Sequence, residues 1–160
     1  TVLITLGALL ADVAHTRPIP INGTTANATL QELTGFEQSR YEGPTGILGI
    51  LQSEAEIRGI PSMALWSAVP HYVASPPCPK ATLGLLRALE DVLDITLALE
   101  ELVEESIAWQ TGVEEMASED EEVAEYVRSL EETQDTAELP EASGEAIARE
   151  FERYLRRREK

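Results

Sequence analysis

The sequence predicts an α/β core that carries an acidic helical extension. Three observations predict it. Two short apolar runs, Thr1–Leu6 and Ser62–Val69, have the composition of buried strands and are each followed by segments of helical periodicity. Beyond residue 95 the pattern is helical only. The charge breaks at nearly the same place. Residues 1–89 hold six acids and five bases, whereas residues 90–145 hold twenty acids and a single base, Arg128. Residues 146–160 reverse the sign, with six bases and three acids.

Thr1-Val-Leu-Ile-Thr-Leu6 is β-rich, and Gly7 after it reads as the end of the strand. A buried parallel strand needs neighbours on both sides. With no initiator Met before it, the expectation is that residues 1–160 are the later part of a longer chain whose earlier part supplies further strands. Arg17-Pro-Ile-Pro-Ile21 is extended, because each proline excludes the α region for its predecessor. Asn22-Gly23 reads as a turn. Thr29 and Glu32 have capping-box spacing, which predicts a short helix over 30–33 ended by Gly35. Ile47, Leu48, Leu51, Ala55 and Ile57 predict a helix with Pro44 near its start and Gly59 as its stop. Ser62–Val69 is the second strand, ended by Pro70.

Ser75-Pro-Pro-Cys-Pro79 is a stiff connector. A helix over 81–93 presents Leu85, Leu86, Leu89, Val92 and Leu93 on one face, and Asp94–Leu97 interrupts it. A second helix spans 98–117. Ser118 and Glu121 form another capping box and start a third, with Val123, Tyr126, Val127 and Leu130 apolar. Residues 136–144 read as a linker and 145–157 as a last helix with Ile147, Phe151, Tyr154 and Leu155 on its apolar side. The division expected is 1–95 as part of the α/β core and 96–160 as the helical extension.

At 160 residues and 17.5 kDa the chain is long enough to bury a core without covalent help. One cysteine, Cys78, excludes an internal disulfide, and two histidines, His15 and His71, argue against a histidine-rich metal centre. No apolar run approaches the roughly 20 residues of a membrane span. A net charge of −17 disfavours nucleic acid, whose phosphates it would repel.

Motifs that carry chemistry are few. Gly43, Gly46 and Gly49 lack the lysine of a phosphate loop and the opening of a dinucleotide turn. Thr24 and Thr25 follow Asn22-Gly23 and offer hydroxyls to an anion or a partner. Asp12, Ser67 and His71 supply the residue types of a nucleophile triad without a nucleophile-elbow sequence. Glu100, Glu101, Glu104 and Glu105 repeat at helical spacing opposite the apolar stripe, as a solvated face does. Trp66, His71 and Tyr72 crowd a predicted strand end, where α/β sheets place ligands. Thr24, Thr25, Trp66, His71 and Tyr72 are therefore the candidate pocket or partner surface. No catalytic residue, metal ligand or cofactor is assigned. Leu85, Leu86, Leu89, Leu93, Leu99, Leu102, Val103 and Ile107 all need cover, which favours a homo-oligomer. The basic end, Arg149 to Lys160, is expected to fold back onto the acidic helices.

Tyr41-Glu-Gly-Pro-Thr-Gly-Ile-Leu-Gly-Ile50, Arg58-Gly-Ile-Pro-Ser-Met-Ala-Leu-Trp-Ser-Ala-Val-Pro-His-Tyr-Val73 and Pro76–Leu86 resemble the proteasome assembly chaperone type two family, and more narrowly its actinobacterial branch. The acidic stretch through Glu122–Leu130 is similar too. The resemblance implies a three-layer α/β/α core related to nucleoside phosphorylases, with a helical C-terminal portion and an N-terminal half of the fold before Thr1. It implies a non-catalytic protein-interaction module in the assembly of a protein complex, with a proteasome-related protein partner, homo-oligomerisation and a cytoplasmic location. Archaeal members engage the proteasome through an extreme C-terminal hydrophobic–Tyr–any motif. Arg153-Tyr154-Leu155 departs from it, being internal and lacking the hydrophobic residue. Phe151, Tyr154 and Leu155 are the corresponding candidates for a tail contact. The competing expectation is a small-molecule enzyme, phosphorylase-like or an ATP-grasp-like carboxylate–amine ligase, although nucleotide-binding motifs of the latter are absent.

Overall fold

The computed structural model of the chain describes residues 1–40, 46–73 and 75–138. Nine elements follow in chain order: β1 (Leu3–Ala11), β2 (Ile21–Thr24), α1 (Ala28–Thr34), α2 (Ile47–Ile57), β3 (Ser62–Pro70), a 3-10 turn (His71–Val73), α3 (Pro79–Leu93), α4 (Glu100–Ser118) and α5 (Glu121–Glu138). The expected last helix over 145–157, with Phe151, Tyr154 and Leu155, lies outside the described residues.

The strands form one sheet in the order β1-β3-β2. β3 is central and runs parallel to β1, in a register from Leu3 beside Ser62 to Ala11 beside Pro70. β2 is antiparallel to β3, with Ile21 beside Ser67 and Thr24 beside Ala64. A central strand must satisfy both faces with apolar groups, and β3 does so. Met63 and Leu65 are 1% and 0% exposed, each contributing about 1.5–3 kcal/mol of burial. Strand alternation puts Met63, Leu65, Ser67 and Val69 on the face toward α3, where Ser67 and Val69 share a cleft with Ala81 and Leu85. Ser62, Ala64, Trp66 and Ala68 point the other way, where Ser62 Oγ meets Glu56 of α2 at 3.3 Å. The sheet therefore lies between helices on both faces. α4 packs on α3 and α5 on α4, so the acidic helices build outward from the core.

Among the described residues the expected elements form, with four differences. β1 does not stop at Gly7 but continues to Ala11. The reason is Trp66, whose ring covers Gly7 so closely that a β-carbon there would lie 2.6 Å from it; the glycine serves close packing, not termination. Asn22-Gly23 is not a turn but the middle of β2, held to β3 on one side. Gly23 is likewise covered, by the ring of Phe36 at 2.3 Å from a β-carbon position. The α1 cap is Asn27, which accepts from Leu30 N at 3.1 Å, in place of Thr29; Gly35 ends the helix at φ +74° as expected. The α5 cap is Asp120, which accepts from Glu122 N at 2.9 Å, in place of Ser118, and the helix runs through the predicted start of the linker to Glu138. At α3, Pro79 occupies the first turn, and Asp94, at φ 51°, closes the helix with its N–H on Glu90 O.

Candidate functional site

β1 and β3 run parallel, so their carboxyl ends meet at one end of the sheet. Two segments emerge there, residues 12–17 after β1 and His71–Val73 after β3. They form a polar and aromatic cluster that α3, α4 and α5 close over.

His15 lies at its centre, 1% exposed. The Tyr72 hydroxyl sits 2.8 Å from both the His15 backbone nitrogen and its Nδ1. His15 Nε2 is buried without a hydrogen-bond partner among the described residues. Burial holds the imidazole below its ordinary pKa. Lys80 pushes the same way, while Glu114 and Glu131 oppose it. Lys80 donates to His15 O and, at 2.7 Å, to Gln110 Oε1 of α4. Its ammonium is half-buried among neutral acceptors, and desolvation lowers its pKa. Burial raises that of the Tyr72 phenol.

The outer part of the cluster is a joint between the 12–17 segment and α5. Gln134 Oε1 accepts from Ala14 N at 2.6 Å, and Thr16 donates to Glu131. Arg17 reaches Asp135 through two nitrogens, at 2.8 and 2.9 Å, and Glu131 at 3.3 Å. That pairing holds the Asp135 carboxyl below the usual range. The Tyr126 hydroxyl donates to Asp12 Oδ1 at 3.2 Å, and Tyr126 meets His71 and Tyr72 edge-on at 5.5 and 6.0 Å between ring centres.

The five residues singled out from the sequence are divided by the fold. His71 and Tyr72 lie in this cluster. Trp66 sits mid-strand over Gly7. Thr24 and Thr25 lie toward the opposite end of the sheet. Thr25 is buried, donates to Ser62 O at 2.6 Å and accepts from Asn27 N at 3.1 Å, which ties β2 to α1. Of the triad types, His71 Nδ1 and Asp12 Oδ1 do meet at 3.0 Å. Ser67 Oγ is buried with no hydrogen-bond partner among the described residues, so the nucleophile–base contact is not made. Sequence reasoning missed His15, Lys80, Gln110 and Gln134. The signal for His15 was its place just after a strand, once β1 is extended to Ala11.

Beside the cluster, a cleft of ≈ 290 Å³ runs between β1, β3 and the start of α3. Ala8, Leu10, Ser67, Val69, Ala81 and Leu85 line it, among the described residues no charged side chain does, and Cys78 at its rim has a thiol pKa raised by burial. Among the described residues no group of three His, Cys, Asp or Glu side chains is placed to hold a metal ion. No helix among them is long and apolar enough to cross a membrane.

A parallel β1–β3 pair between helical layers, with an acidic helical extension closing its carboxyl end, defines a layered α/β domain. The chain belongs to the PAC2 family, which matches it over residues 1–117. A PAC2 family protein from Streptomyces avermitilis is 52% identical, with a TM-score of 0.72, over 79% of this chain and 53% of that one. A proteasome-assembly chaperone homologue from Mycobacterium tuberculosis is 50% identical, with a TM-score of 0.67, over 78% of this chain and 52% of that one. A Pyrococcus furiosus archaeal homolog of proteasome-assembly chaperone, at 20% identity and a TM-score of 0.53 over 74% of this chain and 53% of that one, shares the fold. The chain thus spans about half the length of the solved structures that it matches. No curated protein matches it.

Proposed function

We propose that this chain is a non-catalytic protein-interaction module that acts in the assembly of a protein complex, with a proteasome-related protein as its partner. One observation carries this reading: half of the residues are identical, over most of the chain, to a protein described as a proteasome-assembly chaperone homologue. The surface is in keeping with it. Ile47, Ile50, Leu51 and Ile57 of α2 are 68%, 51%, 47% and 75% exposed, an apolar stripe of the kind that a protein partner covers. His71, Tyr72 and Tyr126 add a partly exposed aromatic cluster, and aromatic side chains are enriched where interfaces are tightest. Within this reading Thr24, Trp66, His71 and Tyr72, with Phe151, Tyr154 and Leu155 of the tail, are the proposed contact residues, while Thr25, 3% exposed and bonded to Ser62 O, supports them from beneath the surface. Residues 1–95 act as core and 96–160 as extension, and the protein works as a cytoplasmic homo-oligomer.

The test is affinity capture of the tagged protein from its native host, followed by native-gel analysis of proteasome particles with and without it. The expected outcome is capture of proteasome subunits and an accumulation of ring intermediates when the protein is absent. Capture that is unchanged by Ile50→Asp and Ile57→Asp removes α2 from the interface. Absence of every proteasome subunit overturns the reading.

A further inference from the structure

The rings after β3 and on α5 surround a carboxylate. His71 meets Tyr72 with ring centres 5.9 Å apart and planes crossing at 86°, and meets Tyr126 at 5.5 Å and 69°. Tyr72 and Tyr126 are 6.0 Å apart and cross at 86°. Edge-on contact turns the hydrogens of one ring to the electron-rich face of the next, so three electron-rich planes stand at steep angles to one another. Asp12 bridges two of them. Its Oδ1 accepts from the Tyr126 hydroxyl at 3.2 Å and lies 3.0 Å from His71 Nδ1. Its Oδ2 has no protein donor among the described residues, although a carboxylate offers about four acceptor directions. The Asp12 side chain is 78% exposed and that of His71 44%, so this notch of rings and one charge is open to solvent. It is also held in place. The Tyr72 hydroxyl is committed to the two His15 nitrogens, and Val127 and Leu130 bury the side of α5 that carries Tyr126 into the fold. The cations of the same cluster are engaged elsewhere, Lys80 with His15 O and Gln110, and Arg17 with Glu131 and Asp135. Glu122 and Glu125, at exposed positions of α5, add to the negative field around Tyr126.

We propose that this notch receives an arginine side chain of the protein partner. The inference rests on the protein-interaction reading above and names the chemistry of one contact within it. The ring faces attract a cation through their quadrupole, and the free oxygen of Asp12 accepts a charge-assisted hydrogen bond. A guanidinium meets both demands at once, because its plane stacks on a ring while its N–H groups donate within that plane. An ammonium supplies the charge without the plane. A phosphate or carboxylate is repelled by Asp12 and by the acidic helix beside it, and an apolar side chain would take Asp12 out of water without pairing it.

The experiment is titration of the whole chain with acetyl-arginine amide, read on the ring signals of 13C-labelled tyrosine by NMR. The Tyr126 signals should move and saturate. The citrulline analogue has the same shape without the charge and should bind at least about tenfold more weakly. The lysine analogue should bind about threefold more weakly or worse, having no plane to stack. Asp12→Asn and Tyr126→Leu should each weaken arginine binding at least about threefold, the loss of a charge partner or of a ring face. Glu121→Gln, in the first turn of α5, should leave it unchanged. Equal binding of arginine and citrulline, measured on the unaltered protein, overturns the proposal whatever the variants do to folding. Equal binding of lysine overturns the assignment to a guanidinium. Weakening by Glu121→Gln as large as that by Asp12→Asn overturns it in favour of diffuse attraction to the acidic helices. A chain with Arg149, Arg153, Arg156, Arg157 and Arg158 all changed to Gln should bind the probe as the parent does; tighter binding overturns the assignment to a partner, because the chain's own end then fills the notch. Capture of proteasome subunits from the native host is a separate readout, so failure of the notch and failure of the assembly role are distinguishable.

Discussion

The hydroxyl of Tyr72 lies 2.8 Å from both the backbone nitrogen and the Nδ1 of His15, two atoms of one residue that is 1% exposed. The backbone N–H can only donate, so the hydroxyl accepts it. The same oxygen lies within hydrogen-bond distance of Nδ1, so one hydroxyl serves two buried nitrogens of His15. One phenol thus holds the loop after β1 to the turn after β3. Tyr72→Phe keeps the ring and removes the oxygen, leaving a buried N–H and a buried ring nitrogen unsatisfied. The expected loss is about 1–3 kcal/mol, the cost of an orphaned buried polar group. Urea denaturation measures it, and a loss within error of zero would show that the hydroxyl is not shared in this way.

His15 should make the stability pH-dependent. Its folded-state pKa is held below the ordinary value of 6.5, chiefly by desolvation, with Lys80 adding to the effect and Glu114 and Glu131 opposing it. The unfolded chain therefore binds the proton more readily than the folded one. Stability is present above pH 6.5 and is lost as pH falls through the depressed value. Carboxylates dominate only nearer pH 4, so the loss that His15 causes shows between about pH 6.5 and 5. His15→Asn offers Tyr72 an acceptor near the Nδ1 position and cannot ionise. Its thermal midpoint should change little across that window while the parent protein's falls with pH. Parallel slopes for the two proteins would assign the dependence elsewhere.

The α5 joint should be unequal in its parts. Arg17 makes the more numerous bonds, yet its partner Asp135 is half exposed, and ion pairs in water contribute little. Gln134 makes one bond, to the N–H of Ala14, which is 0% exposed. Gln134→Ala should therefore cost about 1–3 kcal/mol. Arg17→Ala should cost less, and its effect should shrink in high salt. The check is denaturation of both variants at two ionic strengths. A larger, salt-independent loss at Arg17 would reverse the ranking.

How far the sequence alone carried this description follows from the kind of signal each part leaves. α2, β3 and α3 were legible because runs such as Ser62–Val69 and the Leu85–Leu89 stripe are statements about burial, and burial dominates the fold. The break at Asp94 was legible because a helix must end where its apolar face does. β2 was not, because Asn22-Gly23 has strong turn propensity, which pairing with Trp66 and Leu65 overrides. The caps slipped by two residues because Asn27 and Asp120 compete with Thr29 and Ser118 within a single turn. The cluster around His15 was the least legible. Its members lie at 12–17, 71–72, 80, 110 and 126–135, and only the parallel register of β1 and β3 and the return of α5 bring them together.

The contact between Gly7 and Trp66 yields the sharpest test of the packing. A β-carbon at position 7 would stand 2.6 Å from Cε3 and Cζ3 of Trp66 and 2.9 Å from Cη2. Real β-carbons do not approach that closely, so either the indole must turn or β1 must separate from β3. Intrinsic preference opposes this outcome, because alanine is favoured over glycine in a strand interior by about 0.5–1 kcal/mol. Overpacking of a formed interior costs more, about 1–3 kcal/mol, so Gly7→Ala should destabilise despite its better propensity. Trp66→Leu also destabilises by itself, since it removes a large apolar side chain from the central strand. In that background, however, the space above position 7 is open and the propensity gain of alanine should emerge. The double variant should then be more stable than Trp66→Leu alone, with a coupling energy of about 0.5–3 kcal/mol between the two positions. A double-mutant cycle by denaturant unfolding measures it. Simple additivity would mean that the ring does not rest on Gly7, and the placement of β1 beside β3 at this register position would have to be revised.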